Sequence, residues 1–239
     1  MNIHLISKNN GHILQWVMTI IFLFSVARVD AQSSQVDLQV MMEHYGLIDI
    51  QSIDSTIMVD LKYATTDNFM RKNMYGSLHK AYILPHMAEK LKKANSLLKA
   101  LSKDSLCLII YDAARPQSVQ KDMYDQVKDT PQKVYVARPD KGGRHNFGVA
   151  VDLSIWDKRT DKPMDMGTPF DHFGEAAHVD KDALLIQKGL LKKEHIQNRQ
   201  FLISIMRQVG LRPYRREWWH YEEPMSISEV RQRFKLLDF

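Results

Sequence analysis

Residues 148–155, GVAVDLSI, alternate without a break: Val149, Val151, Leu153 and Ile155 fall on one face, Gly148, Ala150, Asp152 and Ser154 on the other. A period of two predicts a strand that is greasy on one side and carries only small residues and one carboxylate on the other. Residues 52–65 alternate more weakly through Ile57, Val59 and Leu61, again as a strand. Residues 105–114 are apolar almost throughout, which predicts a fully buried strand ending at Asp112. Helical spacing takes over in residues 84–104, where Met87, Leu91, Ala94 and Leu98 share a face. It returns in residues 194–210, with a stripe of Leu202, Ile205, Met206 and Val209 closed by Gly210, a residue suited to a helix stop. Pro116 suits the first turn of another helix in residues 115–129,. Residues 156–175, rich in Gly, Pro and Asp, predict a long loop with turns, and the aromatic stretch at 216–223 predicts a final strand,. Helices and strands mix without a repeating βα unit. The expected fold is therefore α+β: a single domain with one largely antiparallel central sheet and helices packed mainly on one face.

The N-terminus changes the picture of where this domain works. Residues 13–27 are nearly all apolar, the length of a signal-peptide core and short for a membrane span. Val29 and Ala31 stand at the two small-residue positions of a cleavage site. The expected division is a signal peptide over 1–31, a loose lead-in over 32–44 and a catalytic domain over 45–239, with export to the periplasm or medium. An uncleaved N-terminal anchor is the alternative. Loss of Lys8, Arg28 and Asp30 takes the net charge from +5 to +4. The remaining cations are scattered, with no basic stripe for nucleic acid, and no lasting membrane partner is expected after cleavage. Cys107, the single cysteine, sits in the apolar run at 105–114 and cannot form an internal disulfide,.

Three groups of residues carry candidate chemistry. His145 lies just ahead of the alternating strand, and Asp152 lies on its small-residue face, where Gly148 and Ala150 leave room. An imidazole and a carboxylate are both good zinc donors, although the spacing matches no common short zinc motif. Glu217 and His220 lie three apart in EWWH. On a regular strand they would face opposite sides, so a shared site requires a bend. His145, Asp152 and His220 make a two-histidine, one-carboxylate set, which leaves Glu217 as a base beside it, the division of labour metal-assisted hydrolysis needs. Arg115 follows the buried strand directly. It serves equally as an oxyanion stabiliser or as an ion-pair partner for Asp112.

The segments RHNFGVAVDLS (144–154), EWWHYE (217–222), DAARP (112–116), KYATTDNF (62–69) and MGTPFD (166–171) together resemble the VanX-type D-alanyl-D-alanine dipeptidases. These are zinc peptidases related in fold to zinc D-Ala-D-Ala carboxypeptidases and to the hedgehog signalling domain. The resemblance runs in order over about residues 45–223. It implies one Zn2+ per chain on His145, Asp152 and His220, Glu217 as general base and acid, and Arg115 as transition-state stabiliser. It places Tyr63 and Asp171 at the free amino group of a small dipeptide. The serine that the family carries two residues before its first histidine is Gly143 here, which implies one fewer hydrogen bond to the substrate. A signal peptide moves the expected role from the cytoplasmic dipeptide pool of resistance enzymes to cell-wall dipeptide turnover. Two rivals remain: a D,D- or L,D-carboxypeptidase acting on peptidoglycan stem peptides, which needs an open cleft, and a non-catalytic zinc-fold binding protein, which needs neither Glu217 nor Arg115.

Overall fold

The structure is a computed structural model that describes residues 38–239. The expected signal peptide and residues 32–37 lie outside the described residues. A compact unit spans Met41–Phe239. Met42 is already buried, so packing begins inside the segment read as a lead-in.

Eight strands are present among the described residues: β1 (Ile48–Asp49), β2 (Met58–Val59), β3 (Tyr82–Ile83), β4 (Leu106–Asp112), β5 (Ala150–Asp157), β6 (Lys162–Pro163), β7 (Arg212–Pro213) and β8 (His220–Glu222). β1 and β3 form a small antiparallel pair. The main sheet runs in the order β2-β4-β5-β8-β7, with β6 paired to the far end of β5. The principal helices are α1 (Pro85–Ser102), α2 (Gln117–Val127), α3 (Lys193–Gln208) and α4 (Ile227–Arg233).

The α+β class holds, but the largely antiparallel sheet does not: the sheet is mixed, because β2 runs parallel to β4. The chain between them passes through β3 and α1, a long crossover that returns the next strand in the same direction. Two helices follow the sequence pattern closely. Met87, Leu91, Ala94 and Leu98 of α1, and Leu202, Ile205 and Met206 of α3, are all 1% exposed or less. α1 packs on β4 and against α3, which in turn packs on β7.

β4 and β5 form the centre, and their register decides where the chemistry goes. Ile110 pairs with Leu153 and Leu108 with Ile155, which fills one face with apolar side chains. A bulge between Ile110 and Asp112 then brings Asp112 opposite Asp152, so two carboxylates meet on the other face. Gly148 departs from the predicted alternation. It lies ahead of the strand with φ 66°, and a Cβ there would meet Leu47 and Leu84. Its missing side chain makes room for those leucines and leaves Ala150 as the first residue of β5.

Candidate functional site

All seven residues singled out in the sequence line one cavity of about 450 Å³: Tyr63, Arg115, His145, Asp152, Asp171, Glu217 and His220. His145 sits in the 3-10 turn Arg144–Phe147, which Gly148 ends in the left-handed region. The turn folds the imidazole back over the strand that follows. His220 opens β8, where it pairs directly with Asp152.

The three donors lie close together. His145 Nε2 is 3.1 Å from His220 Nδ1 and 3.3 Å from Asp152 Oδ1, and His220 Nδ1 is 3.0 Å from the same oxygen. One atom from each residue falls within 4.8 Å of the others. Ligand bonds of about 2.0–2.2 Å at tetrahedral angles set donors roughly 3.3–3.5 Å apart, so the trio fits a tetrahedral divalent metal such as zinc. Each imidazole is oriented by its other nitrogen: His145 Nδ1 donates to the Ala113 carbonyl at 2.6 Å, and His220 Nε2 to Glu222 Oε2 at 3.2 Å. These bonds leave the two remaining nitrogens free as electron-pair donors. Burial alone would lower the His220 pKa, but hydrogen bonds to Asp152 and Glu222 prevail and push it up to about 10. Burial opposes ionisation of Asp152, and the two histidines outweigh it, holding the carboxyl below its usual range. A metal cation bound among these donors would displace the proton that this raised pKa places on His220.

Glu217 stands 3.9 Å from His220 Nδ1, near the donors without joining them. The expected eight-residue strand is only His220–Glu222. Successive turns precede it, with Glu217 N–H donating to the Tyr214 carbonyl and His220 N–H to the Glu217 carbonyl, each at 3.3 Å. That is the bend the three-residue spacing demanded. Burial pushes the Glu217 carboxyl up to about 7, in the range useful to a general base. Trp218 and Trp219 are both core residues.

Arg115 pairs with Asp112 and also lines the cavity. Its Nε and Nη2 hold Asp112 Oδ2 at 3.1 and 2.5 Å, and its Nη1 donates to Gln120 at 3.0 Å, so the guanidinium is fixed at the cavity wall. Asp112 also accepts from Tyr75 at 2.6 Å. Across the cavity, the Tyr63 hydroxyl lies 3.0 Å from both Asp171 oxygens, and Phe69 N–H donates to Asp171 at 3.2 Å. Asp171 is a non-glycine residue at φ 60°, a conformation that aspartate tolerates better than most. Burial pushes its carboxyl well up, more than the Phe69 and Tyr63 hydrogen bonds and the Arg115 charge pull it down,.

A family profile described as D-Ala-D-Ala dipeptidase (peptidase M15) matches residues 43–237. The chain belongs to this family. The D-alanyl-D-alanine dipeptidase of Escherichia coli is 32% identical over 182 residues, covering 76% of this chain and 86% of that one. The Enterococcus faecium dipeptidase is 27% identical over 204 residues, covering 77% and 95%. A solved vancomycin resistance D,D-pentapeptidase in complex with Zn(II) overlays with a TM-score of 0.35 at 16% identity, over 65% of this chain and 79% of that one; so loose an overlay bears no weight. The chain is thus a metallopeptidase of the dipeptidase type.

Gly143, where the family serine was expected, has no space for one. A Cβ there would lie 2.8 Å from that of Ala137, and its N–H already donates to Asn146 at 2.7 Å. Sequence reading missed several supporting residues of the dipeptidase site. Asn146, fully buried, also donates to the Arg115 carbonyl at 2.9 Å, tying Arg115 to the His145 turn. Nothing in its sequence context marks it. Glu222, held by Arg144 at 2.8 Å and by Arg212 at 2.5 Å, was legible in principle: two residues beyond His220 on a strand, it shares that face.

Proposed function

We propose that the protein is an exported, zinc-dependent dipeptidase that hydrolyses D-alanyl-D-alanine to two D-alanines in cell-wall dipeptide turnover. One observation carries the reading: a three-donor cluster, a buried carboxylate beside it and an enclosed carboxylate–tyrosine pair all face one cavity. His145, Asp152 and His220 would hold one zinc. Bound there, zinc polarises the peptide carbonyl and acidifies water. Asp171 and Tyr63 hold the substrate ammonium and so fix which peptide bond reaches the cluster. Glu217 takes a proton from the attacking water, and Arg115 stabilises the negative charge that builds on the carbonyl oxygen. As the C–N bond breaks, Glu217 returns its proton to the leaving amine, which departs as the second D-alanine.

Capping of the amino end is the sharpest test of this reading against the carboxypeptidase rival. N-acetylation removes the ammonium and leaves Asp171 facing a neutral amide. Breaking a buried pair costs about 3–5 kcal/mol, roughly a hundredfold to a few thousandfold in rate. The expected kcat/KM for D-Ala-D-Ala therefore exceeds that for N-acetyl-D-Ala-D-Ala by at least about a hundredfold on that scale. Equal values would remove the dipeptidase reading and favour the carboxypeptidase.

Export rests on the apolar run at 13–27 and on Val29 and Ala31. N-terminal sequencing of the protein recovered from producing cells is expected to start at Gln32. A chain still starting at Met1 would contradict export by cleavage.

A further inference from the structure

Arg199 is 1% exposed, and the carboxylates Asp182 and Asp165 act on it only through charge and not through a hydrogen bond. Burial lowers its pKa to about 10, a sign of how weakly its charge is compensated. Its partners are backbone carbonyls. Nε donates to Met166 at 2.7 Å, and Nη1 donates to Ala176 at 2.9 Å and to His178 at 3.2 Å. Met166 and Ala176 lie on either side of Asp171 in the sequence. One rigid fork thus grips both ends of the loop that carries the enclosed carboxylate.

The rest of the same helix face reinforces the grip. Asn198 Nδ2 donates to the Asp165 carbonyl at 2.8 Å, and His195 Nε2 lies 3.2 Å from the Asp165 carboxylate. Between the clamped ends the loop lines the cavity with Asp171 and Phe173. Phe170 packs edge-on to Trp219, with ring centroids 5.3 Å apart, and Phe173 packs against Phe69 at 5.0 Å. Between those contacts Asp171 is held at φ 60°, a conformation that persists only where the surroundings enforce it.

We propose that Arg199 is a positioning residue for substrate recognition: it clamps the loop over residues 166–178 so that Asp171 meets Tyr63 and the substrate's amino end. This rests on the reading of Asp171 as the ammonium partner. Guanidinium suits the task because its donors diverge in a fixed plane and reach two chain segments at once; a lysine offers a single point of attachment. The metal-donor cluster and Glu217 come from other elements, which the loop touches through Thr168 on Trp218 and Phe170 on Trp219, so the clamp acts first on Asp171.

The test is Arg199→Lys in the zinc-loaded enzyme, with free and N-acetylated D-Ala-D-Ala compared. kcat/KM for the free dipeptide is expected to fall roughly tenfold to a hundredfold, chiefly through KM, the scale on which a small misplacement acts. The acetylated substrate, which makes no use of Asp171, should change by less than about twofold, so discrimination between the two collapses. Amide hydrogen exchange over residues 166–178 should quicken while zinc content stays the same. Parallel losses on both substrates, or unchanged exchange in the loop, would overturn the clamp. If Arg199→Lys does not fold, Arg199→Gln decides: it removes the fork and keeps a single amide donor toward the same carbonyls, and unchanged discrimination there overturns the proposal. Wild-type protein that cleaves both substrates equally would sink the reading of Asp171 and the clamp with it. Wild type that discriminates, beside variants that discriminate as well, sinks the clamp alone.

Discussion

Replacement of Glu217 by glutamine is expected to lower kcat on D-Ala-D-Ala by about two to four orders of magnitude, the usual scale for loss of a general acid–base, while zinc content and fold stay intact. The exchange keeps volume and burial and removes only the basic oxygen. Glu217 lies 3.9 Å from His220 Nδ1 and outside the donor trio, so the metal keeps its three ligands. Burial holds the carboxyl near 7, which means that ionisation here has a cost that the neutral amide avoids. The thermal midpoint should therefore hold or rise. Zinc analysis, a melting curve and steady-state rates on one preparation check the three statements together. Near-normal turnover, or metal lost along with activity, would show that Glu217 has a different role.

Asp152→Ala and His220→Ala are expected to do the opposite: each should lose zinc and with it essentially all activity. Asp152 lies within 3.3 Å of both imidazole nitrogens. Without it, two histidine nitrogens remain 3.1 Å apart, with no carboxylate left among the donors themselves. His220 is also the hub through which Glu222, Arg144 and Arg212 support the cluster. Removing it leaves Glu222 between two arginines with nothing to orient. Outer partners of a metal ligand typically tune affinity by about 10–100-fold, and loss of a ligand itself should exceed that. Metal analysis after dialysis checks this, and zinc undiminished in both variants would refute the ligand assignment.

The pattern that made the site legible is local. β5 shows its two faces through Val151, Leu153 and Ile155 because its alternation is long enough to read, and α1 and α3 show theirs through repeated apolar positions. Two-residue strands such as β2, β6 and β7 are too short to carry a period. The parallel pairing of β2 with β4 is set by a distant crossover that no window along the chain contains. Gly148 looked like clearance for a ligand because its missing side chain has no direction in sequence; the structure shows it turned toward Leu47 and Leu84. Arg199 is legible in the sequence. It falls three before Leu202 and seven before Met206, on the buried stripe of α3, and a charged residue at a core position is informative in a way that one on a surface is not. Asp171 and Tyr63 came from resemblance alone, since their meeting across 108 residues leaves no trace in local pattern.

Titration of metal-free protein with Zn2+, with D-alanine release from D-Ala-D-Ala followed at each addition, tests most directly whether one zinc on His145, Asp152 and His220 makes this chain a dipeptidase. The expected trace rises linearly from no activity, breaks at one zinc per chain, and stays flat throughout for Asp152→Ala. Full activity in the metal-free protein, or a normal rise in Asp152→Ala, would contradict it.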